Sequence, residues 1–562
     1  MTAAKWMGVV AIALGLCLSP APPAAGQAAR PAFKASAVTQ PAIRRGVETI
    51  AAAQLRDYLS FVASDEMEGR ADPSKGLDVT AKFIATMLSR FGVKGAGDGG
   101  DYFQKIVLKK DKILADGTEV QLAGRKFTAG KDFLAAPTAG SVSGAMVFAA
   151  DGWFLKDKGI DAYKDVDPKG KIVIVTSGGM PAGVTFADLT KGTRGEDWID
   201  PVAYAQKKGA VGVIALNSIF TQASPDVMDR IRKQAEEGSF YPEKLPRQGG
   251  SSLPQITANL ALVQAIFLGE KTSARAILLS APPEGTPIKS FALASEKKIT
   301  MSVKVTTETV TTQNVIAVVE GSDPVLKAEY VALGAHYDHV GVGTPINGDA
   351  IRNGADDDGS GTVALLAMAE ALSKAPRHPK RSVLFVWHMG EEMGLWGSQY
   401  FTKFPTVPID QIVAQLNIDM IGRSRADGDS NPRNKDLSGP NEVYVIGSKM
   451  MSTELGDLSE AVNNAYLKMT FNYRYDDPKD PERFFYRSDH FNYALKNVPI
   501  IFYFTGVHAD YHQPGDEVAK IDFPKFEKIA RTIYATLWEI GELKVRPKVD
   551  KELPPEVKRS MF

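Results

Sequence analysis

The stretch GAHYDHVG, residues 334–341, decides how the chain is read. The run YVAL at 330–333 before it is apolar and short enough to be a buried strand. His336, Asp338 and His339 follow at once. Open α/β sheets build their sites where strands deliver ionisable groups at their carboxyl ends. Three more apolar runs end the same way. Residues 381–387 run into HMGEEMGLWGS at 388–398, residues 412–418 end at Asp419, and residues 499–504 lead into TGVHADYHQPGDE at 505–517. In the crossover after the first run, GADDDGSGT at 354–362 opens a segment, 363–372, apolar enough to be a buried helix. Four strand ends meeting at one sheet edge predict one metal site.

Working outward, strands alternate with helices from about residue 298 to a closing helix at 524–543. That pattern predicts an α/β domain with a mostly parallel sheet covered on both faces. All seven histidines fall between His336 and His512. A lone histidine is usually structural, but His336, the pair Glu391-Glu392, Asp419 and His512 each follow a different strand, and Asp357 sits in the crossover loop after the His336 strand. Carboxylates crowded at one edge repel one another and raise one another's pKa unless a cation neutralises them. Two histidines and three carboxylates match the N/O preference of zinc. Two ions sharing one carboxylate explain how so many anions gather.

A chain of 562 residues exceeds one ordinary core, so two or more domains are expected. Lys+Arg and Asp+Glu are both 66, which leaves no basic excess for nucleic acid. The one cysteine, Cys17, rules out an intramolecular disulfide, so a metal site has to use His, Asp and Glu. Residues 1–29 read as a secretory signal peptide: Lys5, an apolar core at 9–18, Pro20, then small residues. This predicts a periplasmic or extracellular protein with no membrane segment after cleavage. Residues 30–46, rich in Ala, Pro and Arg, read as a disordered lead-in, and 47–124 as an N-terminal segment whose role is to pack on the main sheet. Leu77, Ala81, Ile84, Leu88 and Phe91 form one apolar helical face ended by Gly92.

Around residue 125 the texture changes to short β-branched runs separated by Gly, Pro and Asp, without a single histidine. GKIVIV at 170–175, a helix at 200–208 and GAVGVIALN at 209–217 resemble a protease-associated (PA) domain. The expectation is a small β-rich domain inserted at 125–292. The main domain then resumes at 293–545, with a tail at 546–562.

The ordered set HxD, GADDxGSG, GEE, xxDM and HxxxD resembles the M28 family of zinc metallopeptidases. EMEGR at 66–70 and DYFQ at 101–104 are similar to that family's N-terminal segment. The resemblance implies a three-layer α/β sandwich with a mostly parallel mixed sheet, phosphorylase/hydrolase-like and of zinc-peptidase type. It implies two zinc ions. His336 and Asp419 would be the terminal ligands of one, Glu392 and His512 those of the other, and Asp357 the bridge. Asp338 would orient His336, and the peptide after Asp357 would be cis. Glu391 would be the general base, taking a proton from a water held between the ions. The expected activity is hydrolysis of N-terminal residues from peptide substrates.

Other residues fall to duller roles. His339 and His388 read as neighbours of the site, and His508 as a competitor of His512 that the HxxxD spacing disfavours. Ser488, Asp489 and His490 read as pocket architecture, since no GxSxG elbow accompanies them. Trp387 and Trp396 read as core. Tyr486 and Tyr511 are candidate oxyanion donors, and Arg487 is a candidate carboxylate binder or a loop ion pair. Three alternatives stay open: a carboxypeptidase of the glutamate carboxypeptidase type, a glutaminyl cyclase-like acyltransferase, and a non-catalytic receptor-like binding protein.

Overall fold

The computed structural model describes residues 33–177, 179–217, 225–246, 251–280, 288–554 and 557. The signal-peptide reading of 1–29 lies outside these. The main sheet has ten strands. Across it run Phe240–Pro242, Phe103–Ile113, Val305–Val319, Ser382–His388, Tyr330–His336, Ile412–Ile418, Ile500–Phe504, Glu442–Ile446 and Thr470–Asn472, with Lys94–Gly95 paired to Val305–Val319. The four strands from Ser382–His388 to Ile500–Phe504 are mutually parallel. Their carboxyl ends therefore open on the same edge, where the sequence reading put the site.

These central strands are apolar on both faces because both faces are covered. Val331, Leu333 and Ala335 point into one core with Phe385 and Trp387, while Ala332, Leu384 and Val386 point into the other. The first core is closed by the helices Ala52–Val62, Lys75–Phe91, Gly361–Ser373 and Phe523–Glu542. The second is closed by Trp396–Lys403 and His490–Ala494. Gly361–Ser373 is buried almost all round, which suits a helix wedged between the sheet and other helices.

A second, nine-stranded mixed sheet lies between the two halves of the main one. Its order is Arg125–Thr128, Glu119–Leu122, Lys298–Val303, Gly140–Phe148, Ile172–Ser177, Gly212–Asn217, Gln255–Ala258 and Phe133–Ala135, with Phe291–Ala292 on Gly140–Phe148. Its extent, 119–303, is wider than the expected 125–292. The flanking strands pair with each other, Ile299 opposite Leu122, and their alternating apolar residues belong to this sheet's core. Conversely Phe240–Pro242, from inside the stretch, pairs with Phe103–Ile113 at the edge of the main sheet. The two sheets are joined by a long antiparallel ribbon, Phe103–Ile113 against Val305–Val319.

The described part of the lead-in is ordered, contrary to the compositional reading. Ala37 and Val38 are buried, and the backbone N–H of Ala37 donates to the Glu539 carboxylate at 2.7 Å. Pro41–Glu48 is a helix with Ile43 and Val47 inward. Proline at its start and one apolar face suffice for a short docked helix; overall composition does not register so local a pattern.

One buried cation ties the N-terminal segment to the site edge. Arg70 is fully buried, with its guanidinium donating to the carbonyls of Tyr337 (3.0 Å), Val62 (2.8 Å), Asn353 (2.6 Å) and Gly354 (2.9 Å). Arg70→Met leaves four carbonyls without that donor, and an unsatisfied buried group costs about 1–3 kcal/mol. The expected loss is about 3 kcal/mol or more, a fall of roughly 6 °C or more in the thermal midpoint of the main domain. Calorimetry on the variant checks this, and an unchanged midpoint would contradict it.

Candidate metal centre

His336 is the last residue of its strand, and Thr362 Oγ1 donates to its carbonyl at 2.7 Å. Two residues on, Asp338 serves both sides of the site. Its carbonyl lies 3.2 Å from His336 Nδ1, and its carboxylate oxygens accept the backbone N–H groups of Glu391 and Glu392, each at 3.2 Å. The Glu391–Glu392 turn is closed by N–H groups of Gly394 and Leu395 on the Glu391 carbonyl, both at 2.9 Å. Asn314 pins it from the neighbouring strand, accepting from Met389 N–H (3.0 Å) and donating to the Gly397 carbonyl (2.9 Å).

Asp357 stands in the irregular turn Ala355–Ser360 that starts the Gly361–Ser373 helix. Gly354 enters this turn at φ +59°, and a side chain there would strike the Asp357 carbonyl and the His339 ring, so only glycine fits. Asp516 Oδ2 accepts the N–H groups of Asp356 (3.0 Å) and Asp357 (3.1 Å). The Asp357–Asp358 peptide is cis, as the resemblance implied. Asp358 turns away from the centre and accepts from Gly361 N–H (2.9 Å) and Met420 N–H (3.1 Å).

The residues meet in two groups that share Asp357. In one, His336 Nε2 lies 3.3 Å from Asp357 Oδ1 and 3.7 Å from Asp419 Oδ1. In the other, His512 Nε2 lies 3.1 Å from Asp357 Oδ2 and 3.0 Å from Glu392 Oε2. His339 stands with this second group, its Nδ1 2.9 Å from Glu392 Oε1. The sequence signal was its place directly after Asp338. Glu391 Oε2 is 3.9 Å from His336 Nε2, beside the first group.

His336 Nε2, Asp357 Oδ2 and His512 Nε2 are buried and make no hydrogen bond, despite these short separations. Ligands about 2.1 Å from a tetrahedral zinc lie roughly 3.4 Å apart, close to the spacings found, and the donors are imidazole and carboxylate. The residues therefore fit a pair of zinc-like cations.

Electrostatics agree. Burial, reinforced by Glu392 and Asp419 against the pull of His336, pushes the Glu391 carboxyl well above the usual range. Burial also raises Asp358 and Asp419. Burial alone would raise Asp357 too, but His336 and His512 outweigh it and hold that carboxylate well below its usual range. The imidazoles move the other way. Burial draws His336 down, yet Glu391, Asp338, Asp357 and Asp419 hold it well above its ordinary value. His512 is likewise raised to about 10, the Asp357 and Glu392 carboxylates overcoming burial.

The other candidates sort themselves. His508 sits behind the Asp357 turn, 3.3 Å from Asp356 Oδ2 and outside both groups. His388 lies between Asp489 Oδ2 (3.3 Å) and the Tyr493 hydroxyl (3.0 Å). His490 is pushed down to about 3 by burial, so it is neutral, and its Nε2 is 2.8 Å from the Phe485 carbonyl. Trp387 donates to the Thr362 carbonyl in the core, while Trp396 is half-buried. A cleft beside the first group is lined by Glu391, Asp419, Met420, Phe484, Arg487, Phe502, Phe504, Val507 and Tyr511. Arg487 lies over the Phe484 ring at 4.8 Å, so the loop ion pair is not formed among the described residues. Tyr486 reaches the Pro478 carbonyl.

Metal ligation requires neutral imidazole, whereas the carboxylates around His336 and His512 shift both imidazoles toward the protonated form, against the pull of burial. Zinc added to the metal-free protein at pH 7 should therefore release protons. A weakly buffered indicator titration reads this directly, and metal uptake without proton release would contradict it.

Comparison with known proteins gives the same result. Residues 314–537 match the model of peptidase family M28. Leucine aminopeptidase 2 of Trichophyton equinum is 27% identical over 296 residues, 48% of this chain and 53% of that protein. A probable zinc metalloprotease of Pyrenophora teres f. teres is 26% identical over 376 residues, 63% of this chain and 72% of that protein. The chain thus spans about half the length of the leucine aminopeptidases it matches. The aminopeptidase from Aneurinibacillus sp. strain AM-1 superposes with a TM-score of 0.47 at 17% identity, covering 90% of this chain and 97% of that one. Residues 314–537, the stretch similar to peptidase family M28, hold every residue of the two donor groups.

Proposed function

We propose that the protein is a two-zinc metallopeptidase that removes N-terminal residues from peptides. One observation carries the reading: the two oxygens of a single buried carboxylate, Asp357, face two different donor groups. His336, Asp357 and Asp419 would hold one ion, and Asp357, Glu392 and His512 the other. When bound, such ions supply Lewis acidity that polarises a carbonyl and acidifies water.

The remaining work falls to the chain. Glu391, whose carboxyl is raised above the usual range by burial and by its acidic neighbours, would take a proton from water and return it to the leaving amine. Asp338 keeps His336 oriented and fixes the backbone of the base. Tyr511 is pushed up by burial and then by Asp357, Glu392 and Glu391, so its phenol stays protonated as a donor at the cleft. Met420, Phe484, Phe502, Phe504 and Val507 give the cleft an apolar wall beside the polar Glu391, Asp419, Arg487 and Tyr511, and that wall suits an apolar side chain on the residue being removed. The leucine aminopeptidase names of the relatives support that preference.

The second sheet is read as a protease-associated domain, on the GKIVIV and GAVGVIALN strands that lie parallel within it. The leader at 1–29 is read as a secretion signal. No helix among the described residues is long and apolar enough to cross a membrane. A second polarity, carboxypeptidase, is favoured by one observation. Arg487 lines the cleft with no carboxylate paired to it among the described residues, so it could hold a substrate carboxylate.

Two measurements test the reading. Glu391→Gln should lower kcat by about 10²–10⁴-fold with metal content unchanged; equal turnover would remove the base from the mechanism. Blocking the amino terminus of an apolar peptide should abolish hydrolysis, whereas amidating its carboxyl terminus should not. The reverse pattern, lost again in Arg487→Ala, would establish the carboxypeptidase.

A further inference from the structure

The two donor groups are not alike. The first has three residues, His336, Asp357 and Asp419. The second has four, His339, Asp357, Glu392 and His512, with one donor atom from each lying within 4.8 Å of every other. His339 Nδ1 is 2.9 Å from Glu392 Oε1 and 3.7 Å from Asp357 Oδ2. Its ring stands edge-on to that of His512, with centroids 5.5 Å apart. The position is built rather than incidental. His339 is buried, its N–H donates to the Arg70 carbonyl at 3.1 Å, and its ring packs on Gly354, where no side chain fits. Its Nε2 is buried without a partner, so no hydrogen bond on the far side of the ring competes for its orientation.

We propose that His339 is a fourth protein ligand at the Glu392–His512 position, which makes the two metal positions unequal. The proposal rests on the two-metal reading above. Four protein ligands complete a tetrahedral zinc, as in structural sites, whereas three leave a place for water or substrate. The open position is the one bounded by His336, Asp357 and Asp419, and it is also the one beside Glu391. The closed position would act as a fixed charge that holds Asp357 and Glu392 in place. The open one would exchange readily and face the cleft lined by Glu391, Asp419 and Tyr511.

The competing arrangement keeps His339 Nδ1 protonated and donating to Glu392, so that it orients a ligand without being one. Zinc-edge X-ray absorption separates the two without any substitution. The full chain is loaded with two zinc ions, then treated with a mild chelator until one remains. The proposal requires the retained ion to see two histidines, His339 and His512. One histidine on the retained ion would overturn it. Chelator competition on His339→Phe, which keeps a planar ring, gives the second reading. Loss of the tighter affinity by more than 100-fold, so that both ions leave together, supports the proposal. A loss within about 100-fold is what an orienting neighbour produces and would overturn it. Wild-type protein that binds fewer than two zinc ions would overturn the two-metal reading itself. Two equally labile ions would overturn only the inequality proposed here.

Discussion

The structure depends on the sharing of the Asp357 carboxylate. Six acidic side chains, Asp338, Asp357, Asp358, Glu391, Glu392 and Asp419, are packed at the ends of parallel strands with little water to screen them. Such a cluster survives only if positive charge is interleaved with it. Without metal, the surroundings favour protons in that role, on His336 and His512 through the carboxylates beside them and on Glu391, Asp358 and Asp419 through burial. With metal, the cation takes their place. The raised imidazoles and the depressed Asp357 thus express one requirement, a cation on each side of that carboxylate.

Much of the fold exists to hold Asp357 where it is. Asp516 grips the backbone before and at that residue, and Arg423 and His508 back Asp516 at 3.5 Å and 3.9 Å. Arg70 binds the carbonyls of Asn353 and Gly354 just upstream. Asp338 couples the His336 strand to the Glu391–Glu392 turn, so the ligands of one group and the base move as a unit. These contacts come from segments far apart in sequence, which is why the N-terminal segment belongs to the main domain although it adds no donor to either group.

His336, Glu392, Asp419 and His512 were legible because each follows a strand, and strands show as apolar runs that stop near an ionisable residue, while Asp357 showed through the acidic, glycine-rich turn of the crossover. Parallel pairing then brings those ends together, whatever the loops do. His339 was harder, because one position past a motif carries no periodic signal; only the path of the loop over Arg70 and Gly354 turns its ring inward. Arg70 was invisible as a clamp, since a buried arginine bonded to four carbonyls looks in sequence like any charged surface residue. That Glu119–Leu122 and Lys298–Val303 join the second sheet was hidden for a related reason. Both alternate like any half-buried strand, and their partner across the sheet decides which core they join. The docked helix Pro41–Glu48 was hidden in a segment whose composition, averaged over its length, looked unfolded.

The central claim is that one carboxylate stands between two ions. A crystal of the zinc-loaded protein, with data collected on both sides of the zinc absorption edge, tests it most directly. The account predicts two anomalous peaks, one on each side of the Asp357 carboxylate, the first among His336 and Asp419 and the second among Glu392 and His512. A single peak, or two peaks that do not flank Asp357, would contradict it.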